Sequence, residues 1–407
     1  MIARPRFEAR LCLLLVWFAA TAAAQTLTES QALQLLRESP YYRELQARVE
    51  VERARRRIDT LYPNPSAGAS FEGAGRTDFY TVEQALPISG RLRLLRQAAD
   101  SAVAATQAQT EYELRQFEAD VRAAFQQLAY AQEHKETIAA SIAELGELVR
   151  ILREREEAGE GSTFDRLRAE REVVERRSEV DGVEAVIAQA RARLAAFLGD
   201  RVAPEGIVAA GTLVPVETLP ELQEAMQAAL VARGDYRSQE ARLVALSIEG
   251  QAADRRSIPT PTVSGGLKRA QVGESYQTGP VLSVSIDLPL FNKGQAERAL
   301  ADAEASRVRA TREILESRIL ADVRGAYQAL LLRRQAAERY EQDSRARAEE
   351  LRRIAEIAYQ EGELGILELV DSFRVAQQSQ LRVLELRAAA RFAAIELDRA
   401  TGAEVLP

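Results

Sequence analysis

Thirteen prolines are spread so unevenly along the 407 residues that they partition the chain. None falls between Ile88 and Ala203, a run of 116 residues, and none between Leu290 and Leu406, a run of 117. Proline costs about 3 kcal/mol in a helix interior, so two such tracts rich in Ala, Glu, Arg and Leu predict long helices. Both carry apolar residues in alternating steps of three and four. In the first tract these are Ile138, Ile142, Leu145, Val149 and Leu152, then Val180, Val183, Ile187, Ala190, Leu194 and Phe197. In the second they are Leu320, Val323, Tyr327 and Leu330. Such stripes are coiled-coil seams that pack helix on helix.

The two tracts are copies of one unit. Asp120-Val121-Arg122-Ala123-Ala124-Phe125-Gln126 matches Asp322-Val323-Arg324-Gly325-Ala326-Tyr327-Gln328 at an offset of 202. Leu86-Pro87-Ile88 matches Leu288-Pro289-Leu290 at the same offset, and Tyr62-Pro63-Asn64-Pro65 matches Ile258-Pro259-Thr260-Pro261 at 196. Gly159 pairs with Gly362, and Gly199 with Gly402, at 203. Anchors in the same order with so small a drift predict a tandem duplication.

Each copy reads as a first helix, a strand pair, a long helix, a turn and a further helix. The first helices are expected over about 28–60 and 218–256, and Asn292 with Gln295 is expected to cap the second long helix. Leu282, Val284, Ile286 and Leu288 alternate with Ser283, Ser285 and Asp287, a half-apolar strand pattern. Its partner is expected over Pro261 to Ala270, with Gln271 to Thr278 turning the hairpin. In the first copy the strands are expected over Pro65 to Gly73 and Asp78 to Leu86. Strands of about ten residues suffice to cross a bilayer at barrel tilt.

The N-terminus has the layout of a secretory signal. Arg4, Arg6 and Arg10 precede an apolar run from Leu11 to Ala20, and Ala22, Ala23 and Ala24 end it. The chain is therefore divided into a signal peptide (1–24), repeat one (25–205, hairpin at about 65–86), a linker (206–217) and repeat two (218–407, hairpin at about 261–288). After the signal no uncharged apolar run of about 18 residues occurs, so a membrane crossing would have to be a closed β-barrel. Four strands per chain cannot enclose a lumen, and the copies must pool theirs. A helix of about 70 residues would extend roughly 100 Å and suits a barrel of helices continuing the barrel of strands.

Composition removes other classes. One cysteine (Cys12) and one histidine (His134) exclude Cys/His metal clusters and nucleophilic dyads, and a net charge of −7 argues against nucleic acid. No catalytic residue, cofactor or metal ligand is assigned, and an enzyme is not expected. His134 is expected to be exposed. A soluble periplasmic coiled-coil adaptor or scaffold also fits the signal and the heptads. It leaves the paired bilayer-length strands without a purpose. A periplasmic hydrolase would need converging catalytic groups that the helical spacing does not place.

The layout resembles the TolC family of outer-membrane factors. The most specific marks are Tyr62-Pro63-Asn64-Pro65, Leu288-Pro289-Leu290-Phe291-Asn292-Lys293-Gly294, and Tyr359-Gln360-Glu361-Gly362-Glu363-Leu364-Gly365-Ile366-Leu367-Glu368-Leu369-Val370-Asp371. The short chain, the Leu86-Pro87-Ile88-Ser89-Gly90-Arg91 stretch and the lack of a lipid-bearing cysteine look most like the heavy-metal efflux subgroup. The resemblance implies a mainly α protein with a small β part. It implies a homotrimer with a 12-stranded barrel in outer-membrane lipid of a Gram-negative bacterium, an α-helical barrel in the periplasm, and an equatorial belt built from the chain ends and the inter-repeat segment. It also implies a tripartite efflux or type I secretion system, with a periplasmic adaptor and, through it, an inner-membrane transporter as partners. The cargo would be metal cations or small toxic compounds moving through a passive conduit.

Site candidates follow. Pro63, Pro65, Pro87, Pro259, Pro261 and Pro289 stand where helix and strand interchange, since proline fixes φ and disfavours helix before it. Gly159, Gly161, Gly362 and Gly365 are adaptor-docking candidates at the two helical turns. Asp371, Glu368 and Asp165 are candidates for an acidic periplasmic gate, because no basic residue lies between Tyr359 and Asp371. In a closed ring each carboxylate recurs once per subunit and focuses a negative potential. Solvated carboxylates at helix ends are the plainer reading of any one of them.

Overall fold

The computed structural model describes residues 25–58, 60–73, 76–199, 202–211 and 219–404, and the signal-peptide assignment lies outside them. Repeat one contains β1 (Gln25–Leu27), α1 (Glu29–Glu38), α2 (Pro40–Ile58), β2 (Ser66–Glu72), β3 (Thr77–Ala85), α3 (Arg91–Glu157) and α4 (Thr163–Leu198). Then follow β4 (Ile207–Ala209), α5 (Leu222–Ala232), α6 (Gly234–Asp254), β5 (Pro261–Val272) and β6 (Ser275–Ile286). The chain ends in α7 (Gln295–Tyr340), a π-helical segment (Glu341–Arg345), α8 (Ala346–Gln360) and α9 (Ile366–Thr401). The proline-free tracts are thus helical hairpins. α3 alone has 67 residues, a rod of roughly 100 Å at 1.5 Å per residue.

The heptad stripes are the packing seams. Ile138, Val183, Ile187, Ala190 and Leu194 join Leu27, Leu36, Val121 and Leu128 in a core between α1, α3, α4 and β4. Val323 and Leu330 join Ala225, Ala229, Tyr236 and Leu397 in its counterpart between α5, α6, α7 and α9. A third core at the far end of the rods holds Leu145, Leu152, Val173, Ile366, Leu369 and Phe373.

Each expected first helix is broken in two. Ser39 is extended (φ −75°, ψ 165°) because Pro40 disfavours helix before it, and Pro40 opens α2. In the second copy Arg233 is extended and Gly234 opens α6. A Cβ at Gly234 would lie 2.0 Å from the Ala108 carbonyl oxygen, so only glycine lets α6 approach α3 so closely.

Four strands form one antiparallel sheet in the order β2-β3-β5-β6. The registers Ala69↔Tyr80↔Leu267↔Pro280 and Ala67↔Val82↔Gly265↔Leu282 put Tyr80, Val82, Leu267 and Leu282 on one face. Ser66↔Glu83↔Ser264↔Ser283 puts polar groups on the other, where the Ser264 and Ser283 hydroxyls are 2.6 Å apart. The second hairpin differs from expectation. β5 and β6 run on to a turn at Gly273-Glu274, so Gln271, Tyr276, Gln277 and Thr278 are strand residues. Polar composition suggested a loop there, but Gly273 (φ 65°) supplies a tighter one.

Two short strands were not anticipated. β1 pairs in parallel with β4, which lies within the expected linker, so the start of the described chain and the inter-repeat segment meet at mid-length. Three residues are too few for a period-2 pattern to register. His134 is half-buried rather than exposed, its ring 5.7 Å from Tyr130. Burial pushes its imidazole below the ordinary histidine range, against a smaller upward pull from Glu179.

Both strand-to-helix junctions are built alike. The Ile88 amide donates to the Leu86 carbonyl over Pro87 (2.8 Å), and the Leu290 amide to Leu288 over Pro289 (2.9 Å). Each is a γ-turn followed by a left-handed glycine, Gly90 (φ 75°) or Gly294 (φ 88°), that opens the long helix. Asn292 and Gln295 do not cap α7 in the expected way. Their side chains accept from the amides of Gly294 and Lys293, bracing the turn before the helix. Pro63 and Pro65 lie between α2 and β2, Pro259 lies before β5, and Pro261 is the first residue of β5.

Candidate functional site

The two turns at the far end of the helical hairpins share one backbone solution. After α3 the Gly159 amide donates to Glu156 and the Glu160 amide to Arg155; after α8 Gly362 donates to Tyr359 and Glu363 to Ala358. Each is a Schellman cap with its glycine left-handed, Gly159 at φ 79° and Gly362 at φ 81°. The next helices start at equivalent places, with Ser162 and Gly365 as N-caps. Gly161 folds back so tightly that a Cβ would meet the Glu156 amide nitrogen at 2.7 Å. At Gly365 a Cβ would sit 2.9 Å from Glu368 Oε2, a flexible neighbour.

The turns converge, and one hydrogen bond joins the repeats across them. The Tyr359 hydroxyl donates to Asp165 Oδ2 at 2.8 Å, with the Arg155 guanidinium 6.0 Å from the phenol ring. Burial, then the hydrogen bond and charge of Asp165, push the Tyr359 hydroxyl up to about 12, so it remains a donor at physiological pH. Around this bond the charges are paired. Arg166 holds Glu156 (2.5 Å) and Glu170 (2.9 Å), and Arg153 also reaches Glu170 (2.9 Å), lacing α3 to α4.

The three acidic candidates have different surroundings. Asp165 accepts from Tyr359. Asp371 is exposed and paired with Arg374 one turn on. Glu368 is exposed and has no cationic partner among the described residues. Glu368 and Asp371 line a groove of about 590 Å³ between α4 and α9, together with Arg168, Arg171 and Glu172. Within one chain the tip is therefore of mixed charge. The cations of this groove come from α4, outside the Tyr359–Asp371 stretch. Tyr359 as the partner of Asp165, 194 residues away, has no signature in the local sequence beyond the position of Tyr359 within its motif.

Among the described residues no helix is long and apolar enough to cross a membrane, and no group of three or more His, Cys, Asp or Glu could hold a metal ion.

The comparisons with known proteins bear on this geometry. No protein-family model matches the sequence. The solved structures it resembles include outer-membrane channels. They include the open state of the MtrE outer-membrane channel of Neisseria gonorrhoeae (TM-score 0.74, 21% identity, 93% of this chain and 89% of that one). CusC gives a TM-score of 0.73 at 18% identity, with 92% of each chain covered. VceC, the outer-membrane protein of Vibrio cholerae, gives 0.71 at 18% identity, with 92% and 96% covered. The chain therefore has the fold of the TolC-type outer-membrane channels. In sequence it is 26% identical over 257 residues to the cobalt-zinc-cadmium resistance protein CzcC of Cupriavidus metallidurans. That match covers 60% of this chain and 58% of its relative, a little over half of each.

Proposed function

We propose that the chain is one third of an outer-membrane efflux channel of a Gram-negative bacterium. Three copies pool four strands each into a 12-stranded barrel, and their helices continue the duct through the periplasm. The observation that carries this reading is the four-stranded sheet itself. One face carries Tyr80, Val82, Leu267 and Leu282, with Leu282 82% exposed, and β2 and β6 have an open edge among the described residues. Exposed apolar strands with unsatisfied edges are stable only in lipid and only in a closed ring. A soluble scaffold would have to cover that face with its own helices, and it does not.

Energy and selection come from an inner-membrane transporter reached through a periplasmic adaptor. The turns holding Gly159, Gly161, Gly362 and Gly365 are the docking surface. The likeness to CzcC supports metal cations as the cargo. A deletion strain loses resistance to divalent metals and keeps its antibiotic tolerance; the opposite pattern overturns the cargo assignment.

The Tyr359–Asp165 bond, with Asp371 and Glu368, forms the periplasmic gate. In planar bilayers Tyr359→Phe and Asp165→Asn raise the open probability, because the bond between repeats is lost. Glu368→Ala and Asp371→Ala lower cation preference. Unchanged conductance in all four removes the gate assignment.

A further inference from the structure

We propose that the two strand-to-helix junctions form a binding site for the headgroup of an anionic phospholipid, with Arg93, Arg255 and Lys293 taking the phosphate. The proposal rests on the membrane-channel reading. Sheet register places the junctions at one height, since the Leu86 amide donates to the Pro261 carbonyl (2.8 Å) and Pro261 pairs with Ile286. Directly beyond that level the chain exposes Ile88 (68%) in one copy and Leu290 (67%) and Phe291 (91%) in the other. These exposed apolar side chains follow the ends of β3 and β6 directly in the chain. Such a load sits at the boundary between acyl chains and headgroups.

Cations stand immediately below. Arg93 lies in the first turn of α3, Lys293 directly precedes the Gly294 cap of α7, and Arg255 follows α6. Gly294 is pressed against the end of α6, where a Cβ would meet the Ala253 oxygen at 2.1 Å and Arg256 Cβ at 3.1 Å. Lys293 and Arg255 therefore belong to one collar. Other cations of this collar are already engaged, Arg56 by Asp100 (2.9 Å), Arg298 by Asp254 (2.8 Å) and Arg256 by Glu297. Arg93, Arg255 and Lys293 are exposed and have no acidic partner among the described residues.

The long helices add to the same field. The first turn of α3 has no acidic residue, although its Arg91 amide donates to the Ser89 hydroxyl (3.3 Å), whereas the first turn of α7 holds Glu297, already paired with Arg256, so the positive helix end adds to this field chiefly at α3. Unpaired cations beneath exposed apolar side chains complement a molecule with an anionic head and acyl tails. A lipid supplies both; a free anion supplies one.

The test uses the purified full-length chain in neutral detergent, with dilauroyl phosphatidylglycerol or phosphatidylcholine added and retained lipid counted by native mass spectrometry. The parent retains the anionic lipid at least tenfold over the zwitterionic one. The triple variant Arg93→Gln, Arg255→Gln, Lys293→Gln loses the preference, at roughly fivefold per cation. The charge-preserving variant Arg93→Lys, Arg255→Lys keeps it, and its loss there would overturn the assignment. Excess inorganic phosphate leaves the lipid bound; displacement would make this a free-anion site and overturn the lipid. A parent that conducts in phosphatidylcholine bilayers but shows no preference overturns this proposal alone, whereas failure to insert in any bilayer overturns the channel reading beneath it.

Discussion

The heptapeptide Asp120–Gln126 and its repeat Asp322–Gln328 occupy equivalent turns of α3 and α7, yet their surroundings differ. In the first copy Arg122 is buried and bound by Glu29 (2.7 Å) and Asp398 (2.8 Å), while Gln126 also reaches Glu29 (2.5 Å). In the second copy Arg324 and Gln328 are exposed. The valine between is buried in both, Val121 and Val323 at 0% exposure. The apolar position thus fulfils one role twice, and the polar positions were free to diverge. Copy one uses them to tie α1 and α9 to α3, which closes the start of the described chain onto its last helix. The rods diverge in a second way. α3 is uninterrupted, whereas its counterpart is divided by the π-helical segment Glu341–Arg345, where Glu341 is gripped by Arg387 of α9. An inserted residue of this kind leaves the helix wider and less regular at one level. The second rod has a place to bend that the first lacks.

The largest contrast is expected at the arginines. Arg122→Ala removes the buried cation that Glu29 and Asp398 share and costs about 3–5 kcal/mol in denaturant unfolding. Arg324→Ala stays within about 0.5 kcal/mol. Equal losses would show that the exposed copy is covered in the assembled protein. At the next rank, Leu128→Ala and Leu330→Ala remove side chains that are both fully buried, and each costs about 2–5 kcal/mol. A large inequality there would mean that the repeats do not share one packing scheme.

A smaller effect separates the copies by pH. Because burial holds the His134 imidazole below its ordinary range, the folded chain binds fewer protons than the unfolded one just below pH 6.5. Stability is therefore full above that pH and falls as pH drops through the folded value. His134→Gln flattens the slope of Tm between about pH 7 and 5, and an unchanged slope would assign it to other groups. The smallest change is expected from Glu147→Gln, which removes an exposed partner of Arg150 within a single helix and leaves Tm unmoved.

Much of this was readable because its causes are local. The seams Ile138–Leu152 and Val180–Phe197 follow from 3.6-residue geometry, and the paired Leu-Pro and Gly marks from backbone stiffness and freedom. The misreadings have local causes as well. Gln271–Thr278 looked like a loop because its side chains are polar, although β5 and β6 keep their backbone pairing through most of it. β1 and β4 were too short to show a period.

What the amino-acid order determined alone is the duplicated frame of long rods and short hairpins, because proline, glycine and apolar spacing act over a few residues. What only the tertiary structure decided is which distant groups meet. Tyr359 with Asp165, Arg122 with Asp398, and the cations of α4 with Glu368 and Asp371 in the first turns of α9 are each brought together by packing. Nothing in the neighbouring sequence encodes such pairs, since their geometry depends on how whole helices lie against one another.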